Sequence, residues 1–438
     1  MKKEIRIMKK MIKRSIIIAA LAVLAALTLA SCFGNVSSPA ADENSGGKTV
    51  KGSNDAVSAD AVGISADVTD VSAELLTERD TIQTPDLSEA ENITLADGED
   101  VEITHEGVYV LTGTASDAAV IVNAGKEEDV QLVADGISIT NTDFPGIYVK
   151  CADKVFITTT DTENSITVTD SFRADGETET DAAIFSKEDL VLNGVGSLSV
   201  SSTKNGITSK DDLKITGGTL SVSCTADALE ANDSVVISDG NITVSTRKDG
   251  IHSEYDEDSS VGSVTILGGT VDITAGDDGI HATTTVRIDD GDITIDAAEG
   301  IEGTQVTING GTIDITASDD GINGARKSSL AVKVVFNGGY TKITMGQGDT
   351  DGVDSNGDLY INGGTVDVTG QSPFDYDGTA SYNGGTIIVN GEETDTITNQ
   401  FAGGGHGGMQ GEGPGGMPGG APGGMQGGPG GGGPGGRP

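Results

Sequence analysis

Between about residues 90 and 390, apolar and polar positions alternate in short bursts that never lengthen into a helical period. The stretch from Asp278 to Ala298 shows the unit. Ile280-His281-Ala282, Val286-Arg287-Ile288 and Ile293-Thr294-Ile295-Asp296 each place aliphatic side chains on one face and polar ones on the other, the pattern of three half-buried strands. The unit recurs. Asn205-Gly206-Ile207, Asp227-Ala228-Leu229, Asp249-Gly250-Ile251, Asp278-Gly279-Ile280, Glu299-Gly300-Ile301, Asp320-Gly321-Ile322 and Asp351-Gly352-Val353 follow one another at spacings of 22, 22, 29, 21, 21 and 31. A Gly-Gly-Thr phrase keeps step at Gly217, Gly268, Gly310, Gly363 and Gly384, with variants at Asp239-Gly240-Asn241 and Asp290-Gly291-Asp292.

A fixed period of this size marks a solenoid. Three strands per 21 or 22 residues predict an all-β chain wound as a parallel β-helix, and the handedness of parallel crossovers predicts the right-handed form. Glycines fall at the corners, where positive φ is expected. The longer intervals predict insertions near Glu254–Ser260 and Ala325–Leu330. Gly146–Lys150 and Ala183–Lys187 read as earlier rungs, and Asn92–Gly125 as a cap over the open end. The Leu and Asn ladder of a leucine-rich repeat, the nine-residue period of an RTX roll and the aromatic blade signature of a propeller are missing.

Composition agrees with thin layers. Phe and Tyr together number 15 and Trp is absent, whereas Gly reaches 65. The two ends read differently. Lys2–Arg14 is a basic region, followed by 17 uncharged residues from Ser15 to Ser31, the length of an export signal rather than a comfortable membrane span. Leu29-Ala30-Ser31-Cys32 resembles the lipobox of bacterial lipoproteins, which implies diacylated Cys32 as the mature N-terminus and attachment to the outer face of the cell membrane. The expected organisation is a signal over 1–31, a lipidated tether over 32–88, the β-helix over 89–392 and a Gly/Pro/Met-rich tail over 393–438.

Charge narrows the partners. The net charge of −42 repels phosphate backbones, so nucleic acid is excluded, and neutral or cationic ligands, or anions bridged by a metal, remain. Cys151 and Cys224 fall several rungs apart, too far for a disulfide, and no zinc spacing surrounds either. His105, His252, His281 and His406 form no HxxxH pair. Oligomeric state leaves no trace in the sequence.

Stacking brings equivalent residues of successive coils to about 4.8 Å, so a repeated acid becomes a column of like charge. Two such carboxylates repel by about 3–4 kcal/mol at an effective dielectric near 20. Protons, interleaved Lys or Arg, water or Ca²⁺ can relieve this. Asp277, Asp278, Asp319, Asp320, Asp349, Asp351 and Asp354 are the densest acids and the candidate Ca²⁺ ligands; a hydrated acidic surface is the plain alternative. The residue after the inward aliphatic is expected to face solvent, giving a column of Tyr148, Phe185, Thr208, Glu230, His252, His281, Glu302, Asn323 and Asp354. With Lys150, Lys187 and Lys210 beside it, the strip is a candidate polysaccharide track, its rings stacking on sugar faces and its ammonium groups pairing with uronates. The candidate glycan contacts are Tyr148, Lys150, Phe185, Lys187, Lys210, His252 and His281. The same lysines can instead pair with Asp153, Asp189 and Asp211.

The phrases GIYVKCADKVFI, AAIFSKEDLVLNG, NGITSKDDLKITGGT, AGDDGIHA and FDYDG, behind the lipobox, resemble a bacterial cell-surface carbohydrate-binding family whose right-handed β-helix is similar to that of pectate lyases. The resemblance covers about residues 90–390. It implies binding of cellulose and pectic acid, bound calcium and no catalysis; it supplies no residue-level motif for sugar contact. Two other readings stand beside it. A calcium-dependent pectate lyase would draw on Arg247 or Arg287 as base, and Gly405-His406-Gly407 matches a short polygalacturonase motif inside the low-complexity tail. A catalytic acid pair, however, would break the repeat, while Asp277-Asp278 and Asp319-Asp320 recur with it. The remaining alternative is a purely structural surface protein.

Overall fold

A computed structural model describes residues 75–399, apart from Asp256, Gly348 and Asp349. Regular structure among these residues is almost entirely strand, with a 3-10 turn at Glu78–Thr81. The protein is all-β. Every pairing between described strands is parallel except the closing hairpin of Thr386–Val389 with Glu392–Thr394.

The chain visits three ladders in turn. In one circuit Ile251–Ser253 joins ladder A, Ser263–Ile266 ladder B and Thr270–Thr274 ladder C; the next circuit returns to ladders A and B through the single strand Asp278–Ile288 and to C through Asp292–Ala297. Register partners on ladder A recur at the repeat's own spacing: Ile207 with Leu229, Leu229 with Ile251, Ile251 with Ile280, Ile280 with Ile301, Ile301 with Ile322 and Ile322 with Val353. All seven side chains are fully buried, in one continuous aliphatic core. At about 1.5–3 kcal/mol for each such side chain, this burial is the main force holding one coil on the next.

Glycine serves two distinct purposes at the corners. In the Gly-Gly-Thr phrase the second glycine has positive φ, as at Gly311 (83°) and Gly364 (76°), as expected. The glycine of Asp-Gly-Ile does not. A Cβ at Gly300 would instead fall well inside contact distance of the Gly321 carbonyl oxygen and the Ile315 side chain. Close approach between coils, not turn conformation, excludes a side chain there.

Two expectations change. Residues 92–125 do not form a separate cap: Glu91–Thr94 and Val101–Ile103 pair in parallel with Gly107–Ser116 and Val120–Asn123, so the coils simply begin there. The segment assigned to the tether also contains an ordered strap. Thr77 and Asp80 close a capping box around Glu78–Thr81, and Asp80, fully buried, receives Lys154 Nζ at 2.8 Å and Lys214 Nζ at 3.3 Å. Gln83 then bonds across ladder B to the Thr216 carbonyl and the Gly194 amide. Specific polar partners hold this strap, so it carries no hydrophobic period to reveal it. Cys151 and Cys224 are free thiols, and a side-chain ladder runs from Asn309 through Asn337 and Asn362 to Asn383, with Nδ2 to Oδ1 distances of 2.7, 2.8 and 2.7 Å.

Candidate functional site: an acidic stripe along ladder A

The outward column of ladder A has the register expected: Tyr148, Phe185, Thr208, Glu230, His252, His281, Glu302, Asn323, Asp354 and then Asp375. Its first members are not exposed. Tyr148 and Phe185 are buried, packed edge to face at 5.8 Å in a small apolar cluster with Phe144, Ala119 and Ala182. Ile147 and Ile184 are register partners 37 positions apart, and the intervening residues cover the column: Tyr148 Oη donates to Asp175 at 3.3 Å, and Lys150 pairs with Asp175 at 2.9 Å. Lys187 Nζ donates to Thr178 Oγ1 at 2.5 Å. Lys210 pairs one coil on with Glu230 at 3.1 Å, so Asp175, Thr178 and Glu230 take these lysines rather than Asp153, Asp189 and Asp211. The aromatic end of the strip is therefore a packed structural patch rather than a stacking platform for sugar rings.

From Asp227 onward the stripe changes character. Residues three apart in the repeated phrase, its leading acid and the residue after its aliphatic, converge on one surface, so two columns act together. The first half carries imidazole. His252 and His281 stack with ring centroids 4.8 Å apart and planes within 5°. Each ring is anchored through Nδ1, His252 by Asp249 at 2.5 Å and His281 by Asp278 at 2.7 Å and Glu302 at 3.1 Å. Burial disfavours charge on His281, but the bonds to Asp278 and Glu302 outweigh it and push its pKa up to about 10.

The second half carries only oxygen and amide. Glu299, Glu302, Asp320, Asn323, Asp351, Asp354 and Asp375 follow one another across four coils, with Lys327 on Glu302 at 2.9 Å. Asn323 Nδ2 donates to Glu299 Oε2 at 3.1 Å, leaving its Oδ1 buried without a partner. Burial, with the charges of Asp278, Glu302 and Asp320 added, pushes Glu299 up to about 7. Burial and acidic neighbours likewise push Asp320 up to about 6 and Asp354 up to about 7. This half is a surplus of negative charge with an orphaned carbonyl oxygen, and the donor set suits a hard cation of the calcium type.

The proposed Ca²⁺ ligands divide accordingly. Asp278, Asp320, Asp351 and Asp354 lie in the two columns, and Asp278, Glu299 and Glu302 bring carboxylate oxygens within 4.8 Å of one another. Asp277 and Asp319 are the exposed residues just before the column; among the described residues they, like Asp320, Asp351 and Asp354, belong to no group close enough to share one ion. Asp349 lies outside the described residues, as do Cys32 and His406. Glu299, Glu302, Asn323 and Asp375 were not among the expected Ca²⁺ candidates; counting the leading position and the third residue after it together would have brought them in. Arg287 stands on ladder B, not on the stripe, with Nε held by Asp289 at 2.8 Å.

Residues 97–352 match the model of a family described as carbohydrate-binding domain-containing protein. A carbohydrate-binding domain-containing protein of Acetivibrio thermocellus is 41% identical over 231 residues, covering 52% of this chain and 79% of that protein. A polysaccharide lyase-like protein from C. thermocellum, of known structure, is 33% identical, with 51% of this chain and 93% of that one covered at a TM-score of 0.43. The chain belongs to the carbohydrate-binding domain-containing protein family.

Proposed function

We propose that this protein is a non-catalytic surface lipoprotein that holds cell-wall or plant polysaccharide on a right-handed parallel β-helix, with Ca²⁺ joining the acidic stripe to uronate carboxylates of a polygalacturonate-like glycan. The observation that carries the reading is the all-oxygen half of the stripe: stacked carboxylates from Glu299 to Asp375 beside the unpartnered Asn323 oxygen. An anionic glycan meets repulsion on such a surface unless a cation intervenes, and a hard cation satisfies both sides. When bound, Ca²⁺ supplies the positive charge; Asp278, Glu299 and Glu302, whose carboxylate oxygens lie within 4.8 Å of one another, would hold an ion at the head of this half, and the repeat of coils sets the spacing at which successive uronates are met. The right-handed turn rests on the chirality of parallel crossovers, and the lipid anchor at Cys32 on the sequence that precedes it. Of the two arginines a lyase could draw on as base, Arg247 and Arg287, the second is tied to Asp289 on another ladder, which supports binding over cleavage.

The test is sedimentation of the full chain with polygalacturonate and with cellulose, in Ca²⁺ and in EDTA, while ultraviolet absorbance follows unsaturated product. The expected result is Ca²⁺-dependent retention by polygalacturonate without product. Sustained product, abolished by EDTA and by Arg287→Ala, would make the protein a lyase. No retention by either glycan would leave a structural surface protein.

A further inference from the structure

The imidazole half of the stripe has a chemistry that calcium does not use. Asp249 and Asp278 fix the Nδ1 edge of His252 and His281, so both Nε2 atoms turn to the same side, toward one carboxylate. Glu254 Oε2 lies 3.4 Å from His252 Nε2 and 3.8 Å from His281 Nε2. These separations are long for hydrogen bonds. They approach the ~3.3 Å that separates two donors on a tetrahedral ion with bonds of about 2.0–2.1 Å. An imidazole held through one nitrogen by a carboxylate, with the other nitrogen turned to a shared position where a metal ion would displace its proton, is the arrangement that orients metal-binding histidines and raises their basicity.

We propose that His252, His281 and Glu254 form a binding site for a borderline divalent transition ion of the zinc class, distinct from the calcium-type oxygens further along the stripe. Two imidazoles and a carboxylate select such an ion over Ca²⁺ by donor softness. The three ligands come from two coils and the insertion after Ile251–Ser253, so an ion there ties the insertion to the ladder. Closing on one ion requires the parallel rings, with centroids 4.8 Å apart, to bring their Nε2 atoms closer by side-chain rotation, with Asp249 and Asp278 following. The Glu254 side chain is 41% exposed, which leaves a solvent path to the site and a remaining coordination position for water or a ligand oxygen. The charge also suits it: Asp249, Asp278, Glu254 and Glu302 face the imidazoles, while Lys210 and Lys327 offset only Glu230 and Glu302.

The experiment is titration of the metal-free full chain with ZnCl₂ by calorimetry in the presence of millimolar CaCl₂, repeated with CoCl₂ to read the visible d–d bands. The wild type is expected to take up one calcium-insensitive equivalent of Zn²⁺ and to show Co²⁺ bands of a nitrogen-containing site. Glu254→Gln should weaken that equivalent at least tenfold, and His252→Gln should remove it together with the bands. Glu254 lies on a partly exposed insertion, so its variant reports on the site even where a histidine variant fails to fold. Zn²⁺ uptake unchanged in Glu254→Gln and His252→Gln, or displaced by Ca²⁺, would overturn the proposal. None of these outcomes depends on glycan binding.

Discussion

Asp80 and Lys154 meet at 2.8 Å although 74 positions separate them, and the contact fastens the strap over the outer face of ladder B. Asp80 also caps Thr77, takes Lys214 on its second oxygen and offers its carbonyl to Thr216. Asp80→Asn leaves one buried and one partly buried ammonium group, Lys214 and Lys154, without this counter-charge, at a cost of about 3 kcal/mol. Since the strap can detach without unwinding the coils, the loss should appear as proteolysis and rapid hydrogen exchange within residues 75–83. A uniform fall in stability with an undisturbed strap would contradict this.

The same group sets an acid limit. Burial alone would raise the Asp80 pKa, but the Lys154 bond, the Thr77 amide and the Lys214 charge together hold it below the usual carboxylate value. A lowered folded pKa contributes stability that is present above the unfolded value, about 3.9, and is lost as pH falls through the folded one. Strap protection should therefore be unchanged from pH 7 to 5, begin to fall at about pH 4 and disappear as pH passes the lower folded value. Release already at pH 6 would mean that another group controls it.

Gly300→Ala tests the stacking itself. With no room between its position and the Gly321 carbonyl, the added methyl must push adjacent coils apart, at about 1–3 kcal/mol. Gly98→Ala meets open space, so its cost is confined to the positive φ of 69° and should be smaller. Equal melting temperatures for the two variants would count against close inter-coil contact as the reason for the glycine.

Tyr148→Ala separates packing from recognition. A fully buried aromatic removed from the Phe144 and Phe185 cluster should cost about 3–5 kcal/mol, while glycan affinity of the folded protein stays the same. Stability retained with glycan affinity lost would restore this end of the column as a sugar platform.

How far the sequence carried can be traced along one column. The phrase spacing placed Glu230, His252, His281, Glu302, Asn323 and Asp354 on successive coils because a parallel ladder admits a single register once its aliphatics face inward. It could not tell that Tyr148 and Phe185 are covered. Their cover comes from the long interval before Ile184, whose Asp175 and Thr178 carry no repeat signal, and the only warning was the interval's length. The strap was hidden for the same reason: Asp80 and Gln83 find partners more than 70 residues away through polar contacts that leave no local pattern. The oxygen cluster was half legible. Asp320 and Asp354 stood out as acids, whereas Asn323 matters through one unpartnered oxygen that only three-dimensional packing reveals.

The most direct measurement is calorimetric titration of polygalacturonate into the full chain with Ca²⁺, with EDTA, and with Ca²⁺ after Glu299→Gln and Asp320→Asn are combined. Calcium-dependent binding that weakens at least tenfold in the double variant is the predicted result. Affinity that survives both chelation and the double variant would show that the carboxylates of ladder A do not hold the glycan.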